Sequence, residues 1–166
     1  MVQAMSRLQE EENRLHIFID ILSFIPTKGM NFFMMNSPHL DFSLEQTAKA
    51  PDAFKFEAHA KIRETFETLT MGVTPTKRIL TKSFADAAQH SAIPTAHFLL
   101  TDGVPSDASE QDIGRLIKNR ANPQQNPVTL ISCTNVDSEC KFGFFYHVTH
   151  APWCEWRQNL YSIFHN

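Results

Sequence analysis

Glycine is scarce in this chain, with 5 residues in 166, and that scarcity excludes several classes of protein at once. Collagen-like repeats and glycine-rich linkers fall away. No Gly-x-Gly-x-x-Gly, Walker-type or Gly-x-Ser-x-Gly loop is present. Cysteine is equally sparse. Cys133, Cys140 and Cys154 form an odd set late in the chain, which is not the pattern of a secreted disulfide framework. Positive charge is not in excess: 15 Lys+Arg stand against 18 Asp+Glu, a net charge of −3. That balance argues against a protein that coats nucleic acid or anionic lipid. Long apolar runs are missing as well. The most apolar stretch, Ile17 to Pro26, contains Asp20 and is too short to cross a bilayer. The opening residues, MVQAMSRLQEEENRL, lack the basic and apolar regions of a signal peptide, so the expected location is cytoplasmic.

Hydrophobic residues make up 42% of the chain and charged residues 20%, which suffices for a packed core and fits one domain. A helix is expected from about Ser6 to about Phe24, with Leu8, Leu15, Phe18, Ile19 and Leu22 on a 3.6-residue stripe. Its second half is apolar nearly all round and is expected to pack on a sheet, and Glu10-Glu11-Glu12 reads as a solvated face. The run MNFFMMNS is expected to be a buried strand, followed by an edge strand around Leu40 to Leu44. A second helix is expected from about Glu57 to Leu69, and a third from about Thr76 to His90. The strand AHFLL, a fourth helix capped by Ser109 with Asp112 three residues on, a turn at Asn122–Pro127 and a strand at Val128–Ser132 complete the series. This order predicts an α/β fold with a mainly parallel sheet flanked by helices.

From Lys141 onward the composition changes, and both tryptophans and both tyrosines fall in that tail. Only Trp156 to Phe164 has helical spacing there, with Leu160 and Phe164 four apart. The chain therefore divides, on sequence, into residues 1–140 and an aromatic, histidine-rich tail at 141–166.

Open parallel sheets bind ligands where strands end and helices begin. Two features fall there. Asp102 closes the strand AHFLLT and is followed by Gly103, which permits a sharp turn. Thr74, in GVTPT, precedes a helix whose first turn tolerates Pro75. A carboxylate beside a hydroxyl is hard-oxygen chemistry, suited to Mg²⁺ rather than zinc or copper.

The loop Gly72-Val73-Thr74-Pro75-Thr76, the strand-turn Phe98-Leu99-Leu100-Thr101-Asp102-Gly103 and the later strand PVTLISCTN together carry a resemblance. From Arg7 to about Glu139 the chain resembles a von Willebrand factor type A domain. The resemblance implies a three-layer Rossmann-like sheet and a metal-ion-dependent adhesion site for Mg²⁺ or Mn²⁺, built from three loops. Thr74 matches the threonine of its second loop and Asp102 the aspartate of its third. A protein partner would complete the coordination with an acidic residue of its own. The Asp-x-Ser-x-Ser motif of the first loop is absent, because the chain begins at the helix that should follow it. In the family that missing strand lies mid-sheet, between the strands at Met30–Met35 and Ala96–Thr101, so the fold is expected to be incomplete and its C-terminus atypical.

Plainer roles stand beside these. Asp102-Gly103 can be an ordinary strand-to-loop turn, and Thr74 a helix cap. Cys133, Cys140, His147, His150 and Cys154 are zinc-capable types but lack a tight C-x2-C knuckle. Trp153, Trp156, Phe142, Phe144 and Phe145 read as core or as a partner-binding patch. Ser106 and Ser109 beside Asp107 suggest a nucleophile, with no histidine placed next to them. The expected function is a non-catalytic interaction module with an incomplete metal site. The alternative is a Mg²⁺-dependent hydrolase of Rossmann-like topology using Asp102.

Overall fold

The computed structural model describes residues 6–47, 49–69, 72–90, 92–101, 104–132 and 154–157. In order, they form α1 (Arg7–Leu22), β1 (Gly29–Phe32), a 3₁₀ turn (Pro38–Leu40), β2 (Phe42–Glu45), α2 (Pro51–Thr68), α3 (Thr76–Gln89), β3 (His97–Thr101), α4 (Glu110–Lys118), β4 (Val128–Ser132) and β5 (Cys154–Arg157). The fold is mixed α/β. Two compact units divide the chain, Met1–Gly72 and Val73–Asn166. No helix among the described residues is long and apolar enough to cross a membrane.

The first unit pairs two helices with a hairpin. Ser6 caps α1 reciprocally with Gln9: the Ser6 hydroxyl accepts from the Gln9 N–H, and the Gln9 side chain accepts from the Ser6 N–H. Leu15 and Ile19 are buried, one helical turn apart, as are Phe54, Ala58 and Ile62 on α2. Side chains at this spacing share one helix face, so each helix contributes one apolar stripe to the core. The all-round packing expected of the second half of α1 does not occur, since Ile17 and Ile21 stay exposed at 39% and 37%. The triple glutamate is also less solvated than expected. Glu10 is half-buried and accepts from the buried Arg14 at 2.5 Å.

The expected buried strand is shorter and wetter than MNFFMMNS suggests. Only Gly29–Phe32 is strand, alternating exposed and half-buried residues. It pairs antiparallel with β2, Gly29 opposite Glu45 and Phe32 opposite Phe42. A two-stranded hairpin has no second sheet to cover both faces, so continuous burial is not available to it. Phe32 and Phe42 stack across the pair with ring centroids 4.4 Å apart. Beyond the strand, the Met34 N–H donates to the Asp41 carboxylate at 2.6 Å, which turns the chain. Buried Gln46 fastens the end of α1: its Nε2 donates to the carbonyls of Ser23 (3.0 Å) and Ile25 (3.1 Å), and its Oε1 accepts from Thr27 (2.6 Å). The helix α2 starts at Pro51, well before the expected Glu57, because proline at the first helical position forfeits only an N–H that has no partner there.

The second unit is built on a three-stranded parallel sheet in the order β3–β4–β5. His97 pairs with Val128, and Val128 with Cys154. The helix expected over Trp156–Phe164 is not formed at its start, since Trp156 and Arg157 lie in β5; residues 158–164 fall outside the described residues. Along β3, burial alternates, with His97, Leu99 and Thr101 inward and Phe98 outward. Ile79, Leu80 and Ala87 of α3, Ile113 and Ile117 of α4, and Val128, Leu130 and Ile131 of β4 are also buried. Ile113 and Ile117 are fully covered, which stabilises by roughly 1.5–3 kcal/mol each. Arg120 closes the turn after α4. Its guanidinium donates to the carbonyls of Ile117, Pro123 and Asn126, and Asn122 takes the left-handed conformation (φ 46°) that the turn needs.

Candidate functional site

The end of β3 carries the predicted site. Thr101 is buried as the last residue of the strand. Asp102 and Gly103 lie outside the described residues. The chain is described again from Val104, and it then turns toward the loop that carries Thr74. The Ser106 N–H donates to the Thr74 carbonyl at 2.8 Å. That carbonyl also accepts from the Thr76 N–H at 2.8 Å, so it fastens its own helix entry and the loop after β3 together.

Thr74 is half-buried, and its hydroxyl has no hydrogen-bond partner among the described residues. The helix-capping role open to it is therefore not the one it plays. Pro75, expected inside the first turn, occupies the cap position instead and offers no side-chain acceptor. A helix start presents N–H groups without intrahelical partners and a partial positive charge. Asp107 supplies what is missing. Its Oδ1 accepts from the Lys77 N–H at 3.0 Å and its Oδ2 from the Arg78 N–H at 2.9 Å.

On sequence, Asp107 stands out only as a neighbour of two serines. The available signal was indirect: α3 opens with Pro75 and a basic first turn, so an acceptor had to come from elsewhere. Ser109 does what was expected of it, its hydroxyl accepting from the Asp112 N–H at 3.2 Å and donating to the Asp112 carboxylate at 2.7 Å. That hydroxyl, helped by Arg115, holds the Asp112 carboxyl below its ordinary value.

His97 is buried as the first residue of β3, against α3. Its Nδ1 lies 2.7 Å from the Ser83 hydroxyl, and its ring meets Phe84 edge-on with centroids 5.0 Å apart. Its Nε2 is buried with no hydrogen-bond partner among the described residues. Burial first, and the positive charge of Arg120 second, push its pKa down to about 4. The ring is consequently neutral at physiological pH. His90, by contrast, is exposed at the end of α3.

Of the two expected ligands, the structure describes only Thr74, since Asp102 lies outside the described residues. Among the described residues no group of three or more His, Cys, Asp or Glu side chains is arranged to hold a metal ion. Of the zinc-capable set in the tail, Cys133, Cys140, His147 and His150 lie outside the described residues, and Cys154 opens β5. Phe142, Phe144, Phe145 and Trp153 lie outside them too. No family model, curated protein or solved structure matches the chain.

Proposed function

We propose that the chain is a non-catalytic protein-interaction module of the von Willebrand A type with an incomplete metal-ion-dependent adhesion site. One observation carries this reading: the hydrogen bond from Ser106 to Thr74 ties the loop after β3 to the loop before α3. Those are the two loops from which Asp102 and Thr74 would reach a common cation. The Thr74 hydroxyl, without a partner among the described residues, would face it directly or through water.

The pairing of the strands lends further support. Within the second unit, β3, β4 and β5 pair in parallel, as neighbouring strands of a Rossmann-like sheet do. Two protein ligands compete poorly with the hydration shell of Mg²⁺, so the module in this form holds the ion weakly or not at all. A protein partner with an acidic side chain would complete the coordination sphere. Against the hydrolase reading, His97 stands at the start of β3, the opposite end of the strand from Thr101, and is packed against Ser83 and Phe84.

Titration calorimetry with Mg²⁺ and Mn²⁺ tests the proposal. The chain as it stands is compared with a version carrying an Asp-x-Ser-x-Ser strand ahead of Arg7. Binding by the extended version alone is expected. Equal binding by both, or loss of none of it in Asp102→Ala, overturns the reading.

A further inference from the structure

Within the first unit, α1 and α2 meet through two histidines. Nδ1 of His16 lies 2.5 Å from Nδ1 of His59, and the ring centroids are 4.6 Å apart, so the rings meet nitrogen to nitrogen. The outer nitrogens face carboxylates. Nε2 of His59 is 2.9 Å from Asp20 Oδ1, which also pairs with Lys55 at 3.2 Å. Nε2 of His16 faces Glu12 at 3.6 Å. Arg63 of α2 lines the open groove of ≈ 330 Å³ beside the pair, together with Phe56 and Ala60.

These contacts set the proton inventory. An ionised carboxylate only accepts, so His59 carries its proton on Nε2 and presents a bare Nδ1 to His16. Two bare lone pairs at 2.5 Å repel, so His16 Nδ1 supplies a proton that both rings use. A metal ion does not fit this gap, since about 2.0–2.1 Å is needed from zinc to each nitrogen. We propose that the His16–His59 contact is a pH-operated latch between α1 and α2, closed while the rings share a single Nδ1 proton and open once each Nδ1 has its own. In the opening step two protons come from solvent, one to His59 Nδ1 and one to the His16 Nε2 that faces Glu12. The pair then consists of two imidazolium rings with donors facing donors and no acceptor between them.

The surroundings fix the direction. Asp20 and Glu12 on α1 favour charging of the rings, whereas Lys55 and Arg63 on α2 oppose it. Burial first and the charge of His59 second lower the pKa of His16 from 6.5, so opening belongs to the acidic side of the ordinary histidine range.

The test is a double-mutant cycle on the full chain, using His16→Leu, His59→Leu and the double variant, read as unfolding equilibrium constants at pH 7.5 and pH 5. A favourable coupling of about fivefold at pH 7.5 that disappears or reverses at pH 5 is expected. Equal coupling at both pH values, or none at pH 7.5, overturns the latch. Should a variant fail to fold, ¹⁵N-histidine NMR titration of the unmodified chain decides. Two separated steps for His16 and His59, with one Nδ1 bare and one protonated at pH 7.5, uphold it. A common step at the ordinary histidine value overturns it.

Discussion

The carboxylate of Asp107 accepts hydrogen bonds from the backbone N–H groups of both Lys77 and Arg78, 3.0 and 2.9 Å away. A residue of the loop after β3 thereby caps a helix that begins before β3 in sequence. The same loop donates from Ser106 to Thr74, so one short segment fixes both sides of the candidate site.

Replacing Asp107 with alanine leaves two N–H groups of the first turn of α3 without partners. The expected loss is about 1 kcal/mol of stability, with Asp107→Asn retaining most of the cap. Urea midpoints of the three proteins check this, and an unchanged midpoint for the alanine variant would refute it.

His97 predicts a pH dependence. Its pKa is lowered to about 4 in the folded chain, so the unfolded chain binds the proton more readily. The stability it contributes is complete above about pH 6.5 and declines as the pH falls toward about 4. The decline is on the order of 2 kcal/mol once partial solvation of the ring is allowed for. The difference between the stability profiles of the wild type and His97→Leu isolates it from the other histidines. A flat difference profile would contradict the assignment.

Arg120→Met removes the fork that reaches Ile117, Pro123 and Asn126. Three carbonyls then lose their donors, at a cost of roughly 3 kcal/mol. Arg120→Lys should restore little, because an ammonium cannot span the same planar array. Chemical denaturation of both variants measures the gap between them.

Gly29 sits where a Cβ would lie 2.4 Å from the Leu44 carbonyl oxygen of the paired strand. Gly29→Ala is expected to cost about 1–3 kcal/mol by forcing the hairpin apart at that point. Cross-strand NOEs between Met30 and Leu44 should weaken in the variant, and their full retention with unchanged stability would disprove the clash.

The helices were legible in the sequence because an amphipathic stripe is a local property. Ile113 and Ile117 announce α4 and Ser109 announces its start; both readings hold in the structure. Thr76–Gln89 is equally close to expectation. Features that depend on distant residues were not legible. The apolar run at Met30–Met35 does not reveal that its partner is a single strand, and so misleads about burial. Trp156 opens a stretch with helical spacing, and pairing with β4 makes Trp156 and Arg157 a strand. The Asp107 cap and the His16–His59 pair join residues remote in sequence, and neither has a local pattern. For the site, Thr74 could be named from its loop, but the residue that secures that loop could not.

The internal carboxylate at the start of α3 has a selective effect. Helix openings commonly attract phosphate groups, because their N–H donors are unclaimed. Here Asp107 already occupies the Lys77 and Arg78 donors and adds a negative charge of its own. The two N–H groups of Lys77 and Arg78 are therefore already claimed from within the chain and are not on offer to an incoming anion.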